Sequence, residues 1–255
     1  SNLRQWGMGL KMYVDDFQVY PPLVMRDAES ATTKDSQFAE TRWWHQRLER
    51  YTGTKWQSWG ARFWEVTTPK GIDVCPSYGR LRGLLTGLNI GAYGYNRAGV
   101  SYKTTQELGL GGVMLTERNP LGILPDDIRL IREEEVVRPS EMIAIANAMI
   151  QVPADWTDWK FLGSAELDLS GFGMEEICID LRIGQWTQFA QDDLYARGPA
   201  WIRRRHGGRW NVVFSDGHVE NLKTRELFNT RQDEVLKRWN RDNLPHRELV
   251  HTRLR

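Results

Sequence analysis

The sequence predicts an α+β domain in which an N-terminal helix packs on an antiparallel β-sheet, with long loop insertions and a C-terminal helix. Three observations predict it. Leu3, Trp6, Leu10, Tyr13, Val14 and Phe17 recur at spacings of three and four, the period of one helix face. Met142, Ile143, Ala144, Ile145 and Ala146 form a short apolar run of the kind found in a central strand. Residues 210–215 and 218–222 flank Asp216-Gly217, a dipeptide favoured in tight hairpin turns, so a β-hairpin is expected over about 210–222.

Taken in order, the first helix runs to about Asp16 and is stopped by Pro21 and Pro22. It is amphipathic from its first turn and has no N-cap signal beyond Ser1 and Asn2, as expected for the continuation of a longer helix. Phe38, Trp43, Trp44, Leu48 and Tyr51 again show helical spacing, with Gly53 placed to end a second helix. The stretch 56–66 is aromatic and β-branched enough for extended chain, interrupted at Trp59-Gly60, and Pro69, Gly71, Pro76 and Gly79 mark an irregular connection. A strand is expected across Gly91, Ala92, Tyr93, Gly94, Tyr95 and Asn96, followed by a loop over 99–112 in which Gly109, Gly111 and Gly112 supply unusual backbone angles. Residues 123–135 read as a surface segment. A Trp-rich insertion without periodicity fills about 152–200. After the hairpin, Thr224 is placed to cap a single helix carrying Leu227, Phe228, Val235, Leu236 and Trp239, and the last dozen residues are polar enough to fray.

Composition narrows the function. Lys and Arg number 34 against 33 Asp and Glu, a formal charge of +1, so no surplus draws the chain to nucleic acid. The arginine clusters at Arg203, Arg204 and Arg205 and at Arg238, Arg241, Arg247, Arg253 and Arg255 read as solvated faces. Cys75 and Cys178 read as buried thiols, with a single bridge open as an alternative. No apolar stretch is long enough to span a bilayer and no signal peptide opens the chain. Gly-x-Ser-x-Gly, His-Glu-x-x-His and phosphate-binding glycine loops are absent from the sequence. The adjacent carboxylates Asp15-Asp16, Asp126-Asp127, Glu175-Glu176 and Asp192-Asp193 do not suggest an acid–base pair, because sequence neighbours rarely face one another.

His206, nine intervening residues and Asp216-Gly217 resemble the prepilin-type processing-associated H-X9-DG domain family, whose members look like type II secretion pseudopilins at their N-termini. Further blocks resemble that family in the same order: 2–7 through Asp16 and Pro21-Pro22, Cys75-Pro76-Ser77, 93–96, Leu110-Gly111-Gly112 and 137–141. Ala146-Asn147-Ala148 departs from the family, which has aspartate and serine after the apolar strand. The resemblance implies a pilin-like fold, with residues 1–20 the C-terminal half of a truncated pilin-type helix and 21–255 a single head. It also implies a missing apolar half of roughly 20 residues that anchors the protein in the inner membrane. The head would then lie in the periplasm, with other pseudopilins or secretion-apparatus subunits as partners and no enzymatic activity. A second expectation is a binding module of the same fold, presenting Trp56, Trp59, Trp156, Trp159 and Trp186 to a glycan or an exported protein.

The remaining candidate chemistry lies in His206, Asp216 and His218. A type I′ turn at Asp216-Gly217 would set Ser215 opposite His218, and would leave His206 near the far end of the hairpin from Asp216, roughly 15 Å or more along the strand. A divalent metal such as calcium on Asp216 and His218, or a metal-dependent enzyme that also uses His206, is the third reading. Plain turn chemistry accounts for the Asp-Gly pair without either.

Overall fold

A computed structural model of the chain describes residues 2–26, 41–54, 72, 76, 93–101, 106–115, 128–147, 206–207 and 209–250. The Trp-rich insertion, both cysteines and the aromatic stretch 56–66 lie outside the described residues.

Helix α1 (Asn2–Phe17) buries Leu3, Trp6, Gly7, Gly9, Leu10, Tyr13 and Val14, the face its spacing predicts, except that Phe17, the last residue of that stripe, is 49% exposed at the helix end. Leu10 is wholly buried, and removing such a side chain from water is worth about 1.5–3 kcal/mol. The helix ends before the prolines act. Gln18 turns left-handed at φ 57° and donates its N–H to Val14 O at 2.7 Å, closing the last turn in place of a glycine. Tyr20 and Leu23 then dip into the core.

Strand β1 (Val24–Arg26) pairs antiparallel with β2 (Thr41–Trp43), opposing Met25 to Arg42. The expected second helix is thereby shortened and split. Trp43 belongs to the strand, and two short turns follow, α2 (Trp44–Arg47) and α3 (Glu49–Thr52), the latter closed by Gly53 at φ 68° as expected. Trp44 enters the core between Trp6, with ring centroids 5.3 Å apart, and Tyr95, stacked at 5.1 Å. Phe38 lies outside the described residues.

Four antiparallel strands make the main sheet, in the order β3 (Tyr93–Tyr95), β6 (Ile143–Asn147), β7 (Arg209–Phe214), β8 (Val219–Lys223). A smaller pair, β4 (Val113–Met114) and β5 (Ile128–Arg129), lies apart from it. Segment 123–135 is therefore more than surface: it supplies β5, and Ile131 is fully buried. In the loop 99–112, Gly112 has the expected positive φ, whereas Gly109 and Gly111 are needed for contact. A Cβ on Gly109 would lie 2.1 Å from Arg97 O, and one on Gly111 2.3 Å from Arg97 Cγ.

Both faces of the sheet are covered, which is why all of β6 is buried. Leu3, Trp6, Leu10 and Val14 of α1 share one apolar cluster with Ala144, Ile145 and Val213. Ile143, Ala146, Trp210, Val212, Phe214 and Leu222 join a second cluster with Leu227, Leu236 and Trp239. The strict alternation of a strand would not put neighbours Ala144 and Ile145 in one layer. A register shift between Ile143, opposite Phe214, and Ile145, opposite Val213, inserts Ala144 as an extra residue.

The C-terminal layer is two short helices rather than one. Thr224 is the first residue of α4 (Thr224–Phe228), and the N–H before it, that of Lys223, is satisfied by Glu226 at 2.7 Å. A turn in which Asn229 O accepts from Gln232 N at 3.1 Å separates α4 from α5 (Asp233–Lys237). Trp239 spans the break by donating from Nε1 to Leu227 O at 2.7 Å. The chain beyond does not fray over 244–250: Arg247–Leu249 forms a 3₁₀ turn and Val250 is buried.

Leu10→Ala is expected to lower unfolding free energy by about 2–5 kcal/mol, because the wholly buried leucine leaves a cavity. Met12→Ala, at a position 51% exposed on the same helix, should change it by less than about 0.5 kcal/mol. Urea denaturation of the two variants measures the contrast.

Candidate functional site

The hairpin β7–β8 carries the residues singled out by the sequence, and its turn differs from the expected one by a residue. Val213 pairs with Val219 and Val212 with Glu220, which sets Phe214, not Ser215, opposite His218. Phe214 N donates to His218 O at 3.0 Å, and Gly217 N donates to Phe214 O at 2.8 Å. Of the two turn residues only Gly217 has positive φ, at 90°. The loop is thus three residues, a tight turn followed by a left-handed glycine, rather than two residues both left-handed. Asp-Gly serves both types, and the choice between them falls to contacts outside the hairpin.

Those contacts lie under the turn. A Cβ built on Gly7 of α1 would stand 2.5 Å from Gly217 O and 3.1 Å from Val213 Cγ1. A Cβ on Gly217 would stand 3.2 Å from Gly7 O. Helix and turn therefore meet backbone to backbone, glycine on glycine. Ser215 donates to Met142 O from its N–H at 2.9 Å and from Oγ at 3.3 Å, and Asp216 N donates to Pro139 O at 3.3 Å. Burial pushes the Tyr20 phenol up to about 12, against the opposing hydrogen bond with Ser215. The turn is bound to α1 and to segment 139–142, which itself leads into the central strand.

On the outer side, Asp216 Oδ1 accepts the His218 N–H at 3.1 Å and lies 2.6 Å from its Nδ1. The one-residue change of register brings the His218 ring flat onto Phe214, with centroids 4.4 Å apart and planes 5° apart. Arg238 covers Phe214 with its guanidinium 4.9 Å from the centroid and donates to Glu220 at 2.9 Å. Glu220 also lies 3.5 Å from His218 Nε2. Asp216 is exposed and turns its carboxylate to the imidazole.

His206 does not join this cluster. It sits in a turn at φ 50°, followed by Gly207 at φ 67°, just before β7. The register puts Arg209 beside Lys223, at the opposite end of the hairpin from Asp216. Six strand residues of about 3.3 Å rise each separate the two ends. The nine-residue spacing therefore measures one strand and its lead-in, and the motif marks both ends of β7. Among the described residues no group of three His, Cys, Asp or Glu side chains is arranged to hold a metal ion.

Trp56, Trp59, Trp156, Trp159 and Trp186, the candidate ligand surface, lie outside the described residues. Asp15 and Asp16 take separate partners: Asp15 pairs with Lys11, and Asp16 with Arg50 and Tyr51 Oη, the latter at 2.6 Å. The Tyr51 hydrogen bond and the Arg50 guanidinium hold the Asp16 carboxyl below the usual carboxylate range. What the sequence reading missed is Gly7, although a glycine in the apolar stripe between Leu3 and Leu10 signals a close approach. It also missed the outer side of α1, where Met8 is 58% and Met12 51% exposed. No helix among the described residues is long and apolar enough to cross a membrane.

Gly7→Ala reverses the usual sign of a helix-interior glycine replacement. Propensity alone favours alanine by about 1 kcal/mol, but the added methyl overlaps Gly217 O, and a net loss of roughly 1–3 kcal/mol is expected. Gly217→Ala, forced to hold φ near 90°, should lose about 1–2 kcal/mol, and thermal unfolding of both variants checks these signs. No protein-family model, curated protein or solved structure matches the chain, so the geometry of the helix–hairpin contact is the basis for assigning the site a role.

Proposed function

We propose that this chain is the head of a pseudopilin-like protein with a structural or assembly role in a type II secretion or pilus-like apparatus, and that its chemistry is packing rather than catalysis. The observation that carries the reading is the use of helix α1. Its inner face, from Leu3 to Val14, is committed to an antiparallel sheet, while Met8 and Met12, one turn apart, are left on its outer face. Methionines on a helix surface are adaptable contacts for a second helix, since the flexible thioether fits irregular gaps. A pilin-like subunit uses its first helix in this double way, one face for its own head and the other for its neighbours.

The hairpin supports the same reading. Its Asp-Gly turn fastens α1 to the sheet, so a pull on the helix is passed to β6 and β7 through Gly7, Gly217 and the Ser215–Met142 hydrogen bonds. In this proposal an apolar helical segment preceding α1 holds the protein in the inner membrane, the head faces the periplasm, and the partners are other pseudopilins or secretion subunits. The ordered blocks that resemble the H-X9-DG family favour the same assignment.

Cysteines introduced singly at Met8 and Met12 in the gene product as made in the cell test it. The expected result is membrane-associated protein that forms oxidative cross-links to itself or to pseudopilin subunits, with none from a cysteine at Leu10. A product that fractionates away from the membrane and forms no such cross-link overturns the proposal.

A further inference from the structure

The residues after α5 form a strap laid back over the second apolar layer. Asn240 Nδ2 donates to Leu244 O at 2.6 Å, and Leu244 N donates to Asp242 Oδ1 at 3.1 Å, which folds the chain sharply. Farther along, Arg247 reaches back to the helices. Its Nε lies 2.6 Å from Asp233 of α5, and its terminal nitrogens donate to the carbonyls of Thr230 at 3.2 Å and Arg231 at 2.8 Å. Val250, 3% exposed, is the apolar foot of the strap, in one cluster with Leu227, Leu236 and Trp239.

His246 stands at the bend in a left-handed conformation, φ 42° and ψ 51°, a region that few residues other than glycine adopt but that histidine enters more readily than most. Its Nε2 lies 2.6 Å from Asp242 Oδ2 and its Nδ1 3.0 Å from Glu248 Oε1, so each ring nitrogen faces a carboxylate. A neutral imidazole has one N–H and one lone pair, and would turn that lone pair on one of the two carboxylates. The imidazolium donates to both. Asp242 and Glu248 are the charged groups that act on His246, and the adjacent cation Arg247 is turned away to Asp233.

We propose that His246 is a proton-operated latch on the C-terminal strap. As the imidazolium it ties Asp242 to Glu248 across the bend and keeps the Arg247–Leu249 turn and Val250 seated on the second layer. Loss of that proton leaves a carboxylate facing a lone pair, and the strap lifts from the bend onward. Partial burial opposes the charge on His246, but the hydrogen bonds and charges of Asp242 and Glu248 outweigh it and leave the pKa above 6.5. A folded-state value raised above the unfolded one gives stabilisation that is complete below 6.5 and is lost as pH climbs through the folded value. His45 acts in the opposite sense. Burial pushes it down to about 3, so its stabilisation is complete above 6.5 and is lost as pH falls toward 3. Global unfolding mixes the two, and the strap has to be read locally.

Amide exchange at Leu249, whose N–H donates to His246 O at 2.9 Å, and at Val250, bonded to Arg247 O at 3.2 Å, reports the strap. The protection factors of both, normalised to amides of β6, are followed from about pH 5 to 9 together with the His246 ring resonances. The expected result is a His246 titration above 6.5, loss of strap protection over the same interval, and protection independent of pH in His246→Gln. Glu248→Gln, at a side chain 69% exposed and so tolerant of exchange, should move the His246 titration and the loss of protection together to lower pH. A His246 titration at or below 6.5, or strap protection that does not follow it in either the parent or Glu248→Gln, overturns the proposal.

Discussion

The architecture depends on a backbone-to-backbone contact between helix α1 and the turn of the last hairpin, at Gly7 and Gly217. A helix can lie this close to a sheet only where neither partner carries a side chain, and close packing elsewhere then follows. With Gly7 against the turn, Leu3, Trp6, Leu10 and Val14 reach the layer beneath, and Gly9 lets Thr52 approach from the other side. Ser215 and Asp216 are held by the carbonyls of Met142 and Pro139, so the same turn also fixes the start of the central strand. One three-residue loop thereby joins α1, β6, β7 and β8.

A sheet covered on both faces has to divide its side chains between two cores. β7 does so by plain alternation, Val213 toward α1 and Trp210, Val212 and Phe214 toward the C-terminal layer. β6 does so with the extra residue at Ala144, which lets both Ala144 and Ile145 face α1 without moving Ile143 or Ala146 from the opposite layer. Polar groups lie within this core as well as around it: Arg97 pairs with Glu107 in the interior, and the buried Asn96 donates from Nδ2 to Ile143 O at 2.8 Å and Trp239 O at 2.9 Å. The pairs of Asp216 with His218, Glu220 with Arg238 and Asp16 with Arg50 are all exposed enough that solvent weakens them, and they contribute orientation more than stability.

Features set by local period or by a tight turn were legible in the sequence. The buried face of α1, the apolar strand expected over 142–146 and found over 143–147, and the presence of a hairpin at Asp216-Gly217 are all read from spacing or turn chemistry. The separation of His206 from Asp216 followed from strand rise alone. Features set by distant partners were not legible. Trp43 fits a helical period as well as a strand, and only its pairing with Val24 decides the matter. The hairpin register turned on whether Asp216 or only Gly217 takes a left-handed angle, a choice settled by α1 and segment 139–142. The break between α4 and α5 lies in a stretch whose apolar residues keep helical spacing on either side of Asn229.

The functional account rests on α1 being an integral wall of the head rather than a loosely attached tail. Nuclear Overhauser contacts of the Gly7 α-protons in solution test this most directly. The account predicts cross-peaks from Gly7 to the Val213 methyls and to Gly217, as the 3.1 Å and 2.5 Å approaches of a Cβ at Gly7 require. Gly7 α-protons that show contacts only within their own helix would contradict it.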